Sequence, residues 1–320
     1  MHLPTFADVL QARKTIAPYL RPTPLYQYKA LSDVIGAEVW IKHENHQPIG
    51  VFKVRGGINF VAHLSAEQKA LGVMTASTGN HGQSVAYACR LFGVRAIVAM
   101  PHGANPGKVE AIRNFGAEIH FAGEKFDDSR KYATEKAQSE GMHYLSPGDE
   151  PRLIAGVGTY TLEILEAVPD LDIIIVPVGG GSGASGACIV AKTVNPRTGV
   201  IAVQAEAAPA AYLSWKEKRR VEAKNETFAE GLATAAPFDL PQEILRRDLD
   251  DFVLVSEDEL KSAMILAMQK THNLVEPAGA ASLAAACKIR ERLRGKKVAL
   301  VMSGGNVDLR VLKEALNEKN

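Results

Sequence analysis

The chain has 320 residues, enough for two domains at roughly 150 residues each, and 46% hydrophobic with 23% charged residues is the composition of an ordinary globular protein. Lys plus Arg number 37 and Asp plus Glu 36, a net charge of +1, which removes any electrostatic case for nucleic acid or an anionic membrane as partner. No apolar stretch reaches the roughly 20 residues of a membrane span. The N-terminus lacks the basic and apolar runs of a signal peptide. Cys89, Cys188 and Cys287 lie far apart and read as buried thiols in a reducing compartment, so the cytoplasm is the expected location.

Taken in chain order, short apolar runs predict strands at 39–42, 72–76, 95–100, 118–121, 172–178, 200–204, 252–255 and 297–302. Helical patterns fall between them at 83–92, 106–115, 129–140, 160–167, 257–270 and 279–292. The continuous run Ile173-Ile174-Ile175-Val176 suits a parallel strand covered on both faces. This alternation predicts an α/β protein of two doubly wound domains with mainly parallel sheets. Residues 66–144 read as a smaller domain inserted into a larger one made of 1–65 and 145–320, with the ligand cleft between them. The segment Trp215–Asn225, dense in Lys, Arg and Glu, reads as a solvated helix or loop.

Four segments carry chemistry. In Gly50-Val-Phe-Lys-Val-Arg-Gly56, Lys53 stands between Phe52 and Val54. Apolar surroundings lower an amine's pKa and favour covalent chemistry with a carbonyl, although a lone lysine, taken by itself, is in nearly every case a solvated surface charge. In Thr75-Ala-Ser-Thr-Gly-Asn-His-Gly-Gln83 a small-residue turn joins an apolar strand to a helix. Such a turn offers backbone N–H groups to an anion, or is an ordinary turn capped by Ser77 or Thr78.

In Pro177-Val-Gly-Gly-Gly-Ser-Gly-Ala-Ser-Gly186 a strand ends in a glycine cluster suited to a phosphate. Gly181, Gly183 and Gly186 also spell GxGxxG, with Glu206 20 residues further on, so a nicotinamide-dinucleotide domain is a concrete rival. The fourth segment, Met302-Ser-Gly-Gly-Asn-Val-Asp308, again ends a strand. A dinucleotide enzyme explains one glycine loop but not the other three segments.

Together these segments resemble the pyridoxal-phosphate enzymes of the tryptophan-synthase-β fold type, in the serine/threonine dehydratase and serine racemase branch. The resemblance runs from Arg21-Pro-Thr-Pro-Leu25 to Ser303-Gly-Gly-Asn-Val-Asp308, with further matches at Gly156-Val-Gly-Thr159 and Val275-Glu-Pro-Ala-Gly279. It implies that Lys53 carries pyridoxal 5'-phosphate, flanked by Phe52. Asn80 would meet the cofactor's ring hydroxyl. Gly179, Gly180, Gly181, Ser182 and Gly183 would hold the phosphate, Ser303 would face the pyridine nitrogen, and Glu276 joins the cofactor-binding set. Ser77, Thr78, Gly79, Asn80 and His81 would bind the substrate carboxylate. Thr78 matches the second acid–base group of the racemases.

Departures from the family pattern lie close to Lys53. Ile49-Gly50-Val51 stand where Thr-Gly-Ser is usual, His46 takes an apolar position, and Ser182 replaces a glycine. The divalent-cation positions of many relatives match Glu206, Ala210 and Tyr212, where tyrosine is a poor oxygen ligand, so no tight metal site is expected. No regulatory domain is expected after Asn320. The expected activity is dehydration of a small β-hydroxy amino acid, threonine or serine, by a homodimer. Serine racemisation, dehydration of 3-hydroxyaspartate or an aryl-serine, a dinucleotide oxidoreductase and a non-enzymatic amino-acid binder are the alternatives.

Overall fold

The computed structural model describes residues 2–317. Its elements run α1 (Phe6–Ile16), β1 (Leu25–Gln27), α2 (Lys29–Ile35), β2 (Glu38–His43), α3 (Lys53–Ala62), α4 (Ala66–Leu71), β3 (Val73–Ala76), α5 (Asn80–Leu91), β4 (Ala96–Met100), α6 (Pro106–Asn114), β5 (Glu118–Phe121), α7 (Phe126–Glu140) and β6 (His143–Tyr144). There follow α8 (Pro151–Ala167), β7 (Ile173–Pro177), α9 (Ser182–Val194), β8 (Gly199–Ala205), α10 (Ala210–Lys216), α11 (Asp239–Asp248), β9 (Asp251–Val255), α12 (Glu257–Thr271), α13 (Pro277–Lys288), α14 (Arg290–Leu293), β10 (Lys297–Met302) and α15 (Leu309–Asn317).

The strands form two sheets. The larger has the order β1-β2-β10-β7-β8-β9, parallel except where β1 meets β2. The smaller is all parallel, in the order β5-β4-β3-β6. Side chains of a strand alternate between faces, and β7 shows why both faces must be covered. Ile173 and Ile175 enter one core with Ile201 and Val203, while Ile174 and Val176 enter the other with Val200 and Ala202. The smaller sheet has its own core, in which Val73, Val98 and Met100 meet Val54, Ile58 and Val61 of α3.

Two registers place the site. Met302, the last residue of β10, lies beside His43 at the end of β2. A single bridge then pairs Val51 with Gly304, and the Phe52 N–H donates to the Ser303 carbonyl at 3.1 Å. Lys53 and Ser303, 250 positions apart, thereby become neighbours.

The expected helix at 160–167 begins at Pro151. Gly156 and Gly158 disguise its first two turns, because glycine ordinarily weakens a helix. Here they are contact points between backbones. A Cβ on Gly156 would lie 2.7 Å from the Cα of Gly56, and one on Gly186 2.8 Å from the Cα of Gly158. The expected helix at 279–292 is two helices, α13 and α14. Trp215 corrects the reading of 215–225 as wholly solvated. It ends α10 against Phe252, and its indole N–H donates to the Leu245 carbonyl at 3.1 Å.

Candidate active site

Strands β3, β7 and β10 all run into one cleft of about 830 Å³ between the two sheets. Parallel strands deliver their C-terminal loops to one edge, which is why the loops after them converge. Every site residue expected from the sequence lines this cleft: Phe52, Lys53, Ser77, Thr78, Gly79, Asn80, His81, Gly179, Gly180, Gly181, Ser182, Gly183, Glu276 and Ser303.

Lys53 opens α3, and its backbone is held by the Ser84 hydroxyl, which donates to the Lys53 carbonyl at 2.7 Å. Burial pushes its amine below the ordinary lysine range, while the Glu276 carboxylate pulls the other way. An amine so placed is poised between base and nucleophile.

Glu276 stands just before α13, and burial raises its carboxyl above the usual range. The Asn80 amide and the Lys53 charge oppose that rise. Asn80 donates its side-chain N–H groups to both Glu276 oxygens, at 2.9 and 3.0 Å. Its Oδ1 accepts from Asn306 Nδ2 at 2.8 Å, and the same Asn306 nitrogen donates to the Ile49 carbonyl at 2.9 Å.

The turn before α5 is capped by Ser77, whose Oγ accepts from the N–H groups of Gly79 at 3.2 Å and Gly82 at 2.9 Å. Of the two expected caps it is therefore Ser77, not Thr78, that does the capping. Among the described residues the Thr78 hydroxyl has no hydrogen-bond partner. The N–H groups of Asn80 and His81 open a 12-residue helix and have no acceptor within it, which suits a carboxylate.

His81 is a fixed neutral ring. Its Nε2 lies 3.1 Å from Thr75 Oγ1, and that hydroxyl spends its proton on the Leu145 carbonyl at 2.8 Å. The ring nitrogen is therefore the donor. Burial, together with the nearby Lys53 charge, pushes the imidazole down to about 3.

The loop between β7 and α9 is backbone-lined. Gly181 takes φ 92° at the start of α9. A Cβ on Gly179 would sit 2.1 Å from the Gly231 carbonyl oxygen. The loop thus offers N–H groups and a helix N-terminus to a phosphate without side-chain obstruction. Phe52 packs edge-on to Tyr160, with ring centroids 6.1 Å apart, and the Tyr160 hydroxyl donates to the Gly183 carbonyl at 2.8 Å. Ser303 Oγ donates to the Ala278 carbonyl at 3.3 Å, a neutral group at the end of β10.

The dinucleotide reading fails on geometry. Glu206 lies outside the cleft, on the exposed surface, where it accepts from Lys288 at 3.0 Å. Gly186 serves the contact between α8 and α9 instead of a ligand. Of the other divalent-cation positions, Tyr212 sets its ring edge-on to Phe252.

The rim holds residues that sequence reasoning did not assign. Lys108 of α6 pairs with Glu230, and Asn105 donates to Asp308 at 2.6 Å, both across the cleft mouth. Arg220, Glu222 and Lys224 also line the cleft, so the charged segment is its wall. Asn306 belongs to the segment after β10, yet only its partners Ile49 and Asn80 in the fold give it a task. Lys108 carried no local signal, since Glu230 is 122 positions away.

A buried amine, a glycine loop of open backbone N–H groups and a helix N-terminus with free N–H groups share one cleft, a donor set suited to a phosphorylated carbonyl compound and a carboxylate. The family model described as "Pyridoxal-phosphate dependent enzyme" matches residues 16–304, and the chain belongs to that family. Its cofactor is pyridoxal 5'-phosphate, and the cradle and buried amine fit that group. The chain is 38% identical to the L-threonine ammonia-lyase of Thermotoga maritima over 98% of its own length and 78% of that protein's. It is 35% identical to the L-threo-3-hydroxyaspartate ammonia-lyase of Saccharomyces cerevisiae, covering 97% and 95% of the two chains. Maize serine racemase superposes with a TM-score of 0.93 at 30% identity, covering 99% and 98%. Among the described residues no helix is long and apolar enough to cross a membrane.

Proposed function

We propose that this enzyme is an ammonia-lyase that removes water and then ammonia from a small L-β-hydroxy amino acid, threonine or serine. Threonine gives 2-oxobutanoate and serine gives pyruvate. The observation that carries the reading is the buried Lys53 amine in one cleft with the open N–H groups at the start of α5. The relatives named as threonine ammonia-lyases support it.

When bound, the cofactor supplies an electron sink for the carbanion formed at the substrate's α-carbon. The protein does the rest. Lys53 would carry the cofactor between turnovers, and its amine, once free, would take the α-proton. The backbone N–H groups of Asn80 and His81 hold the substrate carboxylate. Gly179 to Gly183 anchor the phosphate end, and Phe52 flanks Lys53. Ser303 would meet the pyridine nitrogen as a neutral partner, which favours elimination over transamination. Asn80, its amide oxygen held by Asn306 and its N–H groups by Glu276, would line the side of the ring hydroxyl.

A keto-acid assay across threonine, serine, 3-hydroxyaspartate and an aryl-serine tests the reading. Turnover highest on threonine or serine is expected; a preference for 3-hydroxyaspartate or an aryl-serine overturns the substrate. We further propose that residues 66–144 form a smaller domain inserted into the larger one of 1–65 and 145–320, and that the enzyme is a cytoplasmic homodimer; light scattering checks the dimer.

A further inference from the structure

Two residues past Lys53, Arg55 is the largest fully buried side chain in the described structure. Its guanidinium is gripped from two sides. Nε and Nη2 donate to Glu44, both at 2.8 Å, and Nη1 and Nη2 donate to Glu163 at 2.6 and 2.8 Å. Nη1 also reaches Thr159 Oγ1 at 3.1 Å, whose own proton goes to the Gly156 carbonyl. Lys42 balances the second carboxylate, donating to Glu163 at 2.6 Å and to the Thr23 carbonyl at 2.7 Å. Thr23 and Gln47 complete the shell of Glu44 at 2.5 and 3.2 Å.

Two cations and two anions therefore sit in the interior with their hydrogen bonds satisfied. Burial alone would lower the Arg55 guanidinium, but the flanking carboxylates raise it, so it stays charged. Burial alone would raise Glu44, and Arg55 beside it holds it below the usual range. A buried ion network of this kind is weak evidence for stability, because packed apolar groups do as well, but it fixes a geometry. Arg is suited to that task, since its planar fork meets carboxylates bidentately.

What it fixes is the first turn of α3. Glu44 follows β2 and Glu163 and Thr159 lie on α8, so Arg55 ties that turn to the body that carries Ser303 and the glycine loop. The Gly56–Gly156 backbone contact seats the same turn on α8. Ser84 holds the Lys53 carbonyl from the opposite side, on α5. The network also gives work to Arg21-Pro-Thr-Pro-Leu25 and Gly156-Val-Gly-Thr159, neither of which reaches the cleft: each supplies one threonine to it.

We propose that Arg55, clamped by Glu44 and Glu163, is a positioning residue that sets where the Lys53 amine stands relative to the substrate's α-carbon. This rests on the role given to Lys53 under the proposed function. Removing the clamp leaves the phosphate cradle and the carboxylate turn intact, so it affects proton transfer more than binding.

The test compares holoenzyme of wild type, Arg55→Lys, Glu163→Gln and Lys53→Ala. Glu163→Gln keeps the side-chain shape and serves if Arg55→Lys does not fold. Three quantities are read: kcat and KM, exchange of the α-proton of L-alanine for deuterium, and amide hydrogen exchange of residues 53–57, which is independent of turnover. L-Alanine has no β-hydroxyl to lose, so its exchange reports the α-proton step alone. Either clamp variant is expected to lose about 10- to 100-fold in kcat and in α-proton exchange, as misplacement by about 1 Å does, with KM within about twofold. Faster amide exchange at 53–57 accompanies the loss. If both clamp variants fold, bind cofactor and exchange the α-proton at the wild-type rate, the positioning role is wrong. A loss seen only in KM overturns it too. If Lys53→Ala keeps α-proton exchange, it is the role of Lys53 itself that fails.

Discussion

The Asn80 amide nitrogen donates to both carboxylate oxygens of Glu276, 196 positions away, at 2.9 and 3.0 Å. Asn80 begins α5, which follows β3 of the smaller sheet, and Glu276 precedes α13 on the larger one, so this contact spans the floor of the cleft. It orients the one carboxylate whose field steadies the charged form of Lys53.

Glu276→Gln keeps the shape of that contact and removes its charge. Without the charge, burial acts on Lys53 unopposed and pushes its amine further down. The acid limb of the kcat profile, which reports loss of the base, is expected to move to lower pH. Turnover at neutral pH falls about tenfold. A pH profile of the variant identical to wild type overturns the link between the two residues.

Lys53→Ala is expected to abolish turnover and the visible absorbance of enzyme-bound, borohydride-fixable cofactor while leaving circular dichroism unchanged. The rate loss is at least about 10³-fold, the scale of a lost acid–base and covalent group. A purified variant that retains both turnover and the borohydride-sensitive band would remove Lys53 from the centre of the site.

Thr78 bears on stereochemistry. Racemisation needs an acid–base group on each face of the planar carbanion, and Lys53 serves one face. Among the described residues the Thr78 hydroxyl has no hydrogen-bond partner, and it lines the cleft, but a β-branched side chain is stiff at χ1 and its methyl group shares the space. Dehydration is expected to dominate, with little D-serine formed from L-serine. Chiral chromatography of the amino acid left after partial turnover decides the matter, and D-serine appearing as fast as pyruvate is the contrary result. Thr78→Ala then tells whether this hydroxyl is the second base.

Gly179→Ala places a Cβ against the Gly231 carbonyl, at 2.1 Å before any movement. Either the loop shifts or the cradle closes. Cofactor affinity, read by titrating apoenzyme with pyridoxal 5'-phosphate, is expected to fall at least about tenfold, which is about 1.4 kcal/mol. Unchanged affinity means the phosphate is held elsewhere.

His81 makes the fold sensitive to acid. Folded, its ring stays proton-free down to about pH 3, whereas the unfolded chain takes up that proton near its ordinary 6.5. Between those values the unfolded state binds more protons, so stability is lost as pH falls, by about 1.4 kcal/mol per pH unit from this residue alone. His43, held down to about 4 by burial, acts in the same direction over a narrower range. Urea titrations at pH 7, 6 and 5 should show a shallower decline for His81→Gln than for wild type. Equal slopes contradict the assignment.

Much of this architecture was legible because three of the four chemical segments directly follow an apolar strand. The runs ending at Ala76, Pro177 and Met302 announce both the strand and the loop it delivers, and in a parallel sheet those loops share an edge. Helix α8 was half hidden, since glycine's local preference opposes a helix and only the contact with Gly56 and Gly186 overrides it. The rim and the buried Arg55 network were illegible for another reason. Lys108 with Glu230, and Arg55 with Glu163 at a separation of 108 residues, are ordinary charges on amphipathic patterns until the fold pairs them. The GxGxxG spacing misled because Gly186 answers to a neighbouring helix, a demand with no trace in local spacing.

The glycine contacts of α8 have one more consequence. Helix α3 touches α8 at Gly56 and Gly156, and α9 touches it at Gly186 and Gly158, so three backbones abut with no side chain between them. The distance from the amine on α3 to the phosphate cradle on α9 is thus set by incompressible main chain. If the loop of Gly179 to Gly183 holds the phosphate as proposed, that distance acts as a ruler for the cofactor. Substitutions around Lys108, Arg220 or Lys224 can retune which amino acid enters without disturbing the ruler, so variation in substrate and constancy of chemistry are housed in separate parts of the molecule.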